Sequence, residues 1–393
     1  MFDAKRFGDG EVVTSKELGK VFKLSSYSQN PILTPFTLPN IEQKGTNVAV
    51  FNPGAEVLNH NIILAPRYHH GYKPVKFFDR HLGIERLGME NYLSEIIFFN
   101  STNGINFNLI DNLVIKGDGS EHKDFCYGIE DLRIIKTISS EQLYLLIGCG
   151  KIRRPYFDYN ADRIAIYSTS DFKTINYHGI IKEFDCRNAV CFPEYLNDKL
   201  YMFLRFRPNI HLAILEQGFD QLLNPNKYAK QWQRIFDNQK KTVLIKIGEL
   251  PHTSERIGPG PQLIKTKHGW LLFYFAVGTI INEITTLYDL PYQIDRGYSI
   301  SCALLDLEDP YRILCQTKVP IYIPNHDYEM LGSNQYPVDV PFVIFPTGAV
   351  KINNKLLFYC GAGDKYCVVL SCDINNLLEY LIQYCYLSKE KRT

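Results

Sequence analysis

Charged side chains gather in two of five short segments of the chain in which glycine and proline recur. The five segments are 51–55, 128–133, 187–194, 257–261 and 345–349. Glu130, Asp131 and Arg133 lie in the second segment, and Arg187 and Glu194 lie in the third. Carboxyl groups can bind sugar hydroxyls or protonate a glycosidic oxygen, and arginine binds phosphate or carboxylate through paired hydrogen bonds. This mixture of side chains therefore suits a site for a sugar and an oxyanion.

A repeated pattern of short apolar runs indicates how these segments are positioned. Five times, a short strand, a polar turn and a second, strongly apolar strand follow one another, which is typical of a β-hairpin. The hairpins are predicted at 55–65, 133–147, 194–204, 262–274 and 349–359, and each precedes a further apolar strand, at 95–99, 163–167, 211–215, 300–305 and 367–370. Four-stranded sheets arranged radially fit this count, because a single blade cannot bury both of its faces.

The sequence therefore predicts an all-β fold, a five-bladed β-propeller, with a β-sandwich or two all-β domains as the alternative. We expect an N-terminal arm over residues 1–45, the propeller over 46–375 and a C-terminal tail over 376–393. A short helix or a last strand is expected at 375–386. In a propeller the glycine- and proline-rich segments would lie beside the central axis and share one funnel.

Composition excludes several classes of protein. The chain has 393 residues, of which 45% are hydrophobic and 22% charged, which is globular and not disordered composition. Its 43 basic and 42 acidic residues give a net charge of +1, so we expect no nucleic acid as a partner. With charges near the N-terminus and no long apolar run, we expect a soluble cytoplasmic protein with no membrane partner. The ten cysteines form no CxxC pair, which favours reduced, buried thiols.

The same segments resemble the signature motifs of glycoside hydrolase family 130, the β-mannoside phosphorylases and β-mannosidases. Residues 128–133 (GIEDLR) are similar to the family's G-[VI]-E-D-P-R, residues 52–55 to its N-P-[GA]-A, and residues 192–194 to its F-P-E. Further similar segments occur in the same order, at 257–272, 298–310 and 346–364. The resemblance implies a five-bladed propeller that cleaves β-mannosides with inversion.

The resemblance also implies roles for individual residues. Asp131 corresponds to the general acid, which in phosphorylases acts through a sugar hydroxyl, and Asn52, Arg67 and Asp364 fall where the family holds the mannose. Arg187, Arg207 and Tyr298 fall at or near the positions where the family binds phosphate. Together with the charged neighbours of these positions, the predicted site comprises catalytic Asp131 and Glu194, substrate-binding Asn52, Arg67, Glu130, Arg133 and Asp364, and phosphate-binding Arg187, Arg205, Arg207 and Tyr298.

Two departures from the family pattern affect the prediction. Leu132 replaces the proline after the acid, and Phe275 stands where phosphorylases usually carry a histidine that faces phosphate. Phosphorolysis to mannose 1-phosphate is favoured by the retained arginines, whereas hydrolysis would use a carboxylate such as Glu194 to activate water. A related mannosyltransferase and a glycan-binding propeller without catalysis are further alternatives.

We expect no cofactor and no metal, with inorganic phosphate as the co-substrate of a phosphorylase. The expected partner is a β-mannoside oligosaccharide, and a homo-oligomer is possible. His69, His70 and His81 could suggest a metal site, but adjacent side chains on an extended chain point to opposite sides, which favours contacts with sugar hydroxyls.

Overall fold

The computed structural model describes residues 2–38, 47–79, 83–116, 125–138, 143–152 and 162–387. The N-terminal segment forms the hairpin of β1 (Glu11–Ser15) and β2 (Gly19–Lys23), followed by β3 (Ser25–Ser26). Together with β3, the remaining strands build five separate antiparallel sheets, each with four main strands. This confirms the predicted five-bladed propeller and excludes a sandwich.

In blades 1 to 3 the strands follow one another from the inner edge of the sheet outward. Blade 1 comprises β4 (Asn47–Leu58), β5 (Asn61–Asp79), β7 (Ser94–Ser101) and β8 (Asn108–Lys116), and the side strand β6 (Ile84–Glu90) pairs with the distal part of β5. Blade 2 comprises β9 (Ile129–Lys136), β10 (Tyr144–Lys151), β11 (Asp162–Thr169) and β12 (Asn176–Ile181). Blade 3 comprises β13 (Arg187–Cys191), β14 (Leu200–Arg205), β15 (Ile210–Leu215) and β16 (Val243–Ile245).

Blades 4 and 5 complete the ring. Blade 4 has a divided inner strand, and comprises β17 (Arg256–Pro259), β18 (Ile264–Thr266), β19 (Gly269–Ile280), β20 (Ile294–Leu305) and β21 (Ile313–Gln316). Blade 5 comprises β22 (Ile344–Ile352), β23 (Lys355–Ala362) and β24 (Tyr366–Asp373). The outer strand of blade 5 is β3, so a segment within the predicted N-terminal arm closes the ring.

Short helices connect or cover the blades. They are α1 (Gly218–Leu223), α2 (Ala229–Asp237), α3 (Asn282–Thr285) and α4 (Ile374–Tyr384), with single 3₁₀ turns at Ala4–Arg6, Gln239–Lys241, Pro251–Thr253 and Thr286–Tyr288. The Asp373 side chain caps α4 by accepting hydrogen bonds from the backbone of Asn375 and Asn376. Segment 375–386 is therefore mainly helical. Among the described residues, no helix has both the length and the apolar character needed to span a membrane.

The core lies between the faces of neighbouring blades. Separate groups of buried apolar side chains join blade 1 to blade 2, blades 2 and 4 to blade 3, blade 4 to blade 5, and blade 5 to blade 1. Leu145, Leu146 and Phe358 are each fully buried, as their positions in middle strands between two packed faces require. Aliphatic and aromatic runs without strict alternation are expected in strands covered on both faces.

The first strand of blade 3 differs from its prediction. The strand spans Arg187–Cys191, whereas the sequence predicts it at 194–196. Residues 194–196 belong instead to the turn before β14. Pro193 has no backbone N–H and so cannot continue the ladder of hydrogen bonds, which ends before it. The charged residues of segment 187–194 are consequently divided between the two ends of one hairpin.

A β-bulge recurs in the inner strands and determines which side chains turn toward the axis. In blades 1, 2 and 3, two residues of the inner strand oppose one residue of its neighbour, at Asn52-Pro53, Asp131-Leu132 and Asn188-Ala189. Asn52, Asp131 and Asn188 have φ angles of 49°, 50° and 60°, a left-handed region that Asn and Asp tolerate better than other residues. Bulges bend a strand and redirect its side chains, which is why they are frequent near active sites.

Candidate active site

Asp131 lies at the centre of the site, at the bulge of β9, with 2% of its surface exposed. Its Oδ1 accepts a hydrogen bond from Asn52 Nδ2 (2.8 Å) and faces Arg67 Nη1 (3.4 Å), and its Oδ2 accepts one from Arg187 Nη2 (2.7 Å). Burial raises the pKa of Asp131, but the charges of Arg187, Arg67 and Arg133 outweigh it and hold the pKa well below its ordinary value. The Asp131 carboxyl group is therefore ionised.

Glu130 shares the same arginines. Its Oε1 lies 2.9 Å from Arg67 Nη2, and its Oε2 lies 2.7 Å from Arg187 Nη2 and 3.8 Å from Lys151 Nζ. The Tyr92 hydroxyl also donates to Oε1. Two adjacent carboxyl groups thus lie within ion-pair distance of three cations, which offsets the cost of burying them.

Arg67 is held in its orientation by an imidazole group and an aromatic ring. Its Nε donates to His69 Nε2 (2.7 Å), and its guanidinium carbon lies 4.7 Å from the centre of the Phe51 ring. Burial and the charge of Arg67 lower the pKa of His69 well below its ordinary value, so the imidazole is neutral and accepts this bond. That nitrogen is therefore already occupied, which does not favour the metal interpretation of the histidines. His81 lies outside the described residues.

Asp364 offers a carboxyl group of a different kind. It occupies the turn between β23 and β24 with a φ of 50°, is half-buried, and accepts no hydrogen bond among the described residues. Burial raises its pKa to about 7, with Arg67 acting in the opposite direction and Asp131 reinforcing the rise. The site thus combines one carboxyl group whose pKa is lowered with another whose pKa is raised, and the Asp364 oxygens remain available to a ligand.

A group of four arginines lies next to these carboxylates. Arg187 Nη1 and Arg207 Nη2 approach the same oxygen of Asp162, at 3.8 and 3.1 Å. Arg205 donates to Asn188 Oδ1 (2.7 Å), and burial followed by the charges of Arg187, Arg207 and Arg256 lowers its pKa to about 9. Repulsion among guanidinium groups is relieved when an anion binds between them, so this pocket is suited to phosphate.

Phe275 packs beside the group formed by Arg187, Arg205, Arg207 and Arg256, which we call the basic pocket. Its ring lies 5.5 Å from the guanidinium carbon of Arg205 and 6.0 Å from the Tyr298 ring, and it is fully buried. The Tyr298 hydroxyl accepts a hydrogen bond from Arg256 Nη2 (2.5 Å). Replacement of histidine by phenylalanine thus removes a polar group but leaves a surface on which Arg205 stacks.

Arg133 is placed differently from its prediction as a substrate-binding residue. Its guanidinium donates to the backbone oxygens of Asp131 (2.8 Å), Gly260 (3.1 Å) and Pro259 (3.2 Å), and only 1% of the residue is exposed. All of its nitrogens are committed to carbonyl groups of blades 2 and 4. We therefore reassign Arg133 as a residue that supports the backbone of Asp131.

Replacement of Arg133 by methionine tests this reassignment. We expect Arg133→Met to lower the free energy of unfolding by about 3 kcal/mol, because three buried carbonyl groups lose their donor. Urea denaturation of the variant measures this, with Arg234→Met as the control, since Arg234 forms an exposed pair with Glu216. A variant that is as stable as the parent would contradict the reassignment.

Glu194 does not join the central cluster. It lies beyond the end of β13, whereas Arg187 begins that strand, and its carboxylate pairs with Lys265 of blade 4. Its position at the opposite end of the hairpin gives no support to the predicted catalytic role. A second carboxylate for activating water would have to come from Asp364 or from the residues around Asp131.

Several residues of the site were missed by the sequence reasoning. Asn188, Arg256, Asp162 and Lys151 all take part in the charged network. For Asn188 a signal existed, because it follows Arg187 in the same kind of glycine- or proline-rich segment that carries Asn52 and Asp131. Asp162 and Lys151 come from neighbouring strands of blade 2, and their pairing depends on a register that spacing alone does not reveal.

Comparison with solved structures defines the class of protein. A β-1,2-mannobiose phosphorylase from Listeria innocua, solved with β-1,2-mannobiose, superposes with a TM-score of 0.64 at 22% identity, covering 91% of this chain and 99% of that one. This similarity establishes a shared propeller fold. Together with the strand order of the five sheets, it defines the chain as a five-bladed propeller of this fold.

Sequence comparison then gives the family. The chain belongs to glycoside hydrolase family 130, whose model, described as beta-1,4-mannooligosaccharide phosphorylase, matches residues 25–383. Two relatives come from Thermoanaerobacter sp. (strain X514). A β-1,2-mannobiose phosphorylase is 30% identical over 88% of this chain and 96% of its own length, and a 1,2-β-oligomannan phosphorylase is 28% identical over 87% and 95%.

Proposed function

We propose that this enzyme catalyses the phosphorolysis of β-1,2-linked mannosides to mannose 1-phosphate, with inversion at the anomeric carbon. The observation that carries the proposal is that Arg187 connects the two carboxylates of the site to the group of arginines. Arg187 bonds the carboxylates of Glu130 and Asp131 on one side and, on the other, approaches Asp162, which also pairs with Arg207. A sugar bound over Asp131 would therefore have phosphate as its neighbour.

The roles of the residues follow from their chemistry. Asn52, Arg67 and Asp364 would bind the hydroxyl groups of the mannosyl unit, with Glu130 holding Arg67 and Arg187 in place. Arg187, Arg205, Arg207 and Tyr298 would hold phosphate so that one of its oxygens faces the anomeric carbon. As that oxygen forms the new bond, the glycosidic bond breaks on the opposite face of the sugar, which inverts the configuration.

Asp131 would supply the proton that the leaving oxygen needs, through a hydroxyl group of the mannosyl unit. In the free enzyme its carboxylate is ionised because of the surrounding arginines. Phosphate bound to Arg187 and Arg207 brings negative charge close to Asp131, and nearby negative charge raises the pKa of a carboxyl group. Phosphate would thus prepare Asp131 to take up a proton, which leaves with the released sugar and is replaced before the next turnover.

The choice of linkage comes from the relatives. Two of the curated relatives with high coverage act on β-1,2-linked mannose according to their names, whereas the family description names the β-1,4 linkage. The overall sequence similarity is greater to the β-1,2 enzymes, since a β-1,4-mannooligosaccharide phosphorylase from Ruminococcus albus matches 56% of this chain at 26% identity. We therefore propose β-1,2-mannobiose and short β-1,2-oligomannans as substrates.

The decisive experiment incubates the full chain with β-1,2-mannobiose or β-1,4-mannobiose, each with and without inorganic phosphate. We expect mannose 1-phosphate, detected by phosphorus NMR, only when phosphate is present and predominantly from the β-1,2 disaccharide. Proton NMR of the fresh product should show the α-anomer. Release of free mannose at the same rate without phosphate would contradict the proposal and indicate a hydrolase.

A further inference from the structure

Two buried side chains and one partly buried side chain, from different parts of the ring, meet beside the Asp364 turn. Tyr72 comes from β5 of blade 1, Lys365 follows Asp364 in blade 5, and Asp339 belongs to the segment between β21 and β22. Lys365 Nζ lies 2.7 Å from the Tyr72 hydroxyl and 3.0 Å from Asp339 Oδ1, and the Tyr72 hydroxyl donates to Asp339 Oδ2. We call these three residues the latch.

The latch is enclosed by protein. Tyr72 is 2% exposed and Lys365 is 7% exposed, and the Lys365 ammonium lies 5.3 Å from the centre of the Tyr72 ring. A buried ammonium is costly unless it is fully bonded, so the three groups depend on one another. Loss of Lys365 would leave the Tyr72 and Asp339 side chains bonded to each other but no longer tied to the turn.

Backbone hydrogen bonds bring the same three segments together. The Gly363 carbonyl accepts from Asp339 N (2.9 Å) and Val340 N (3.1 Å), and the Lys365 carbonyl accepts from Val50 N (3.1 Å). The turn that carries Asp364 is thus connected to blade 1 and to the 339–343 segment. The Asp364 carboxyl itself has no hydrogen bond among the described residues, so its direction is set by this turn.

The latch also crosses the junction at which the ring closes. Blades 1 and 5 are the first and last along the chain, and β3, which precedes blade 1, completes the outer edge of blade 5. The latch connects the two blades near the proposed sugar site, because Tyr72 lies on the strand that carries Arg67 and His69. Its location is therefore suited to controlling the distance between Arg67 and Asp364.

We propose that the latch of Tyr72, Asp339 and Lys365 positions Asp364 for the mannosyl unit, and so determines affinity for the sugar and not for phosphate. This inference rests on the proposed function. The three residues do not contact the four-arginine pocket in the described part of the chain, and their bonds lead only to the turn and to blade 1. They act through Asp364 and are positioning residues.

The test replaces Lys365 by methionine and measures the two substrates separately. We expect Lys365→Met to raise the KM for β-1,2-mannobiose by about tenfold or more, because small displacements of a binding group have large effects. The KM for phosphate should stay within about twofold, because the arginine pocket is unchanged. Tyr72→Phe, which removes one hydroxyl and is less disruptive, should show a smaller change with the same separation.

Lys355→Met is the matched control. Lys355 begins β23, at the opposite end of the hairpin from Lys365, and is also 7% exposed and paired with an aspartate, Asp9. We expect it to cost similar stability without changing either KM. The inference would be overturned if Lys365→Met changed the KM for the sugar and the KM for phosphate equally. It would also be overturned if neither latch variant changed the KM for the sugar.

Measuring the binding of sugar directly tests this inference independently of the proposed function. Calorimetric titration with mannose and with β-1,2-mannobiose needs no turnover, so it reports on the latch even if phosphate proves not to be the co-substrate. Weaker sugar binding in the latch variants and parental binding in Lys355→Met would support the latch. Parental sugar binding in both latch variants would contradict it, whatever reaction the enzyme performs.

Discussion

Replacement of Asp131 by asparagine should reduce phosphorolysis of β-1,2-mannobiose by about 10³-fold while leaving the fold intact. The amide has the same shape as the carboxyl group and can keep the hydrogen bond from Asn52, but it cannot deliver a proton to the leaving oxygen. Steady-state rates measured by mannose 1-phosphate formation test the loss, and thermal unfolding tests the integrity of the variant. Sugar binding should persist.

Glu130→Gln provides the matched control, because it removes the same unit of negative charge from the neighbouring residue. Since Glu130 holds Arg67 and Arg187 but transfers no proton, we expect its loss of rate to be smaller, about tenfold. A dinitrophenyl β-mannoside has a leaving group that needs no acid. This substrate should therefore restore much of the activity of Asp131→Asn, whereas the loss of rate in Glu130→Gln should stay the same. Similar rates in the two variants on both substrates would remove Asp131 from the role of acid.

Most of the architecture could be predicted because a propeller repeats its unit. Each blade contains the same hairpin and following strand, so an apolar run such as 143–147 is recognised by comparison with its counterparts. The error in blade 3 arose where the pattern is ambiguous, since 194–196 looks like a strand until the effect of Pro193 is considered. The closure by β3 could not be predicted, because a strand of two residues leaves no periodic signal.

Part of the site was predictable because some of its residues lie in segments that the sequence itself distinguishes. The bulge residues Asn52 and Asp131 are marked by local sequence, and so is the Asp364 turn. The functions of Arg133 and Glu194 could not be separated from those of their neighbours, because charge alone does not show whether a side chain points into the cleft. Arg133 turns toward backbone carbonyl groups and Glu194 toward Lys265, which only the register and the contacts between blades decide.

Replacement of Arg187 by methionine should have the largest effect on the use of phosphate. Arg187 connects the carboxylates of Glu130 and Asp131 to the Asp162 side of the basic pocket, so its loss affects both parts. We expect the KM for phosphate to rise about 100-fold, which corresponds to the loss of a charge-assisted pair of bonds. The pKa of Asp131 should also rise, because a nearby positive charge that lowered it is gone.

Arg187→Lys separates charge from geometry, because lysine keeps the positive charge but loses the planar fork. We expect it to recover phosphate use to within about tenfold of the parent, whereas Arg207→Met, which removes an arginine that is half exposed, should have an intermediate effect. Initial rates over a range of phosphate concentrations at fixed β-1,2-mannobiose measure all three variants. A KM for phosphate that is nearly the same in Arg187→Met and in the parent would show that the anion binds elsewhere, and the link between Asp131 and phosphate would then have no structural basis.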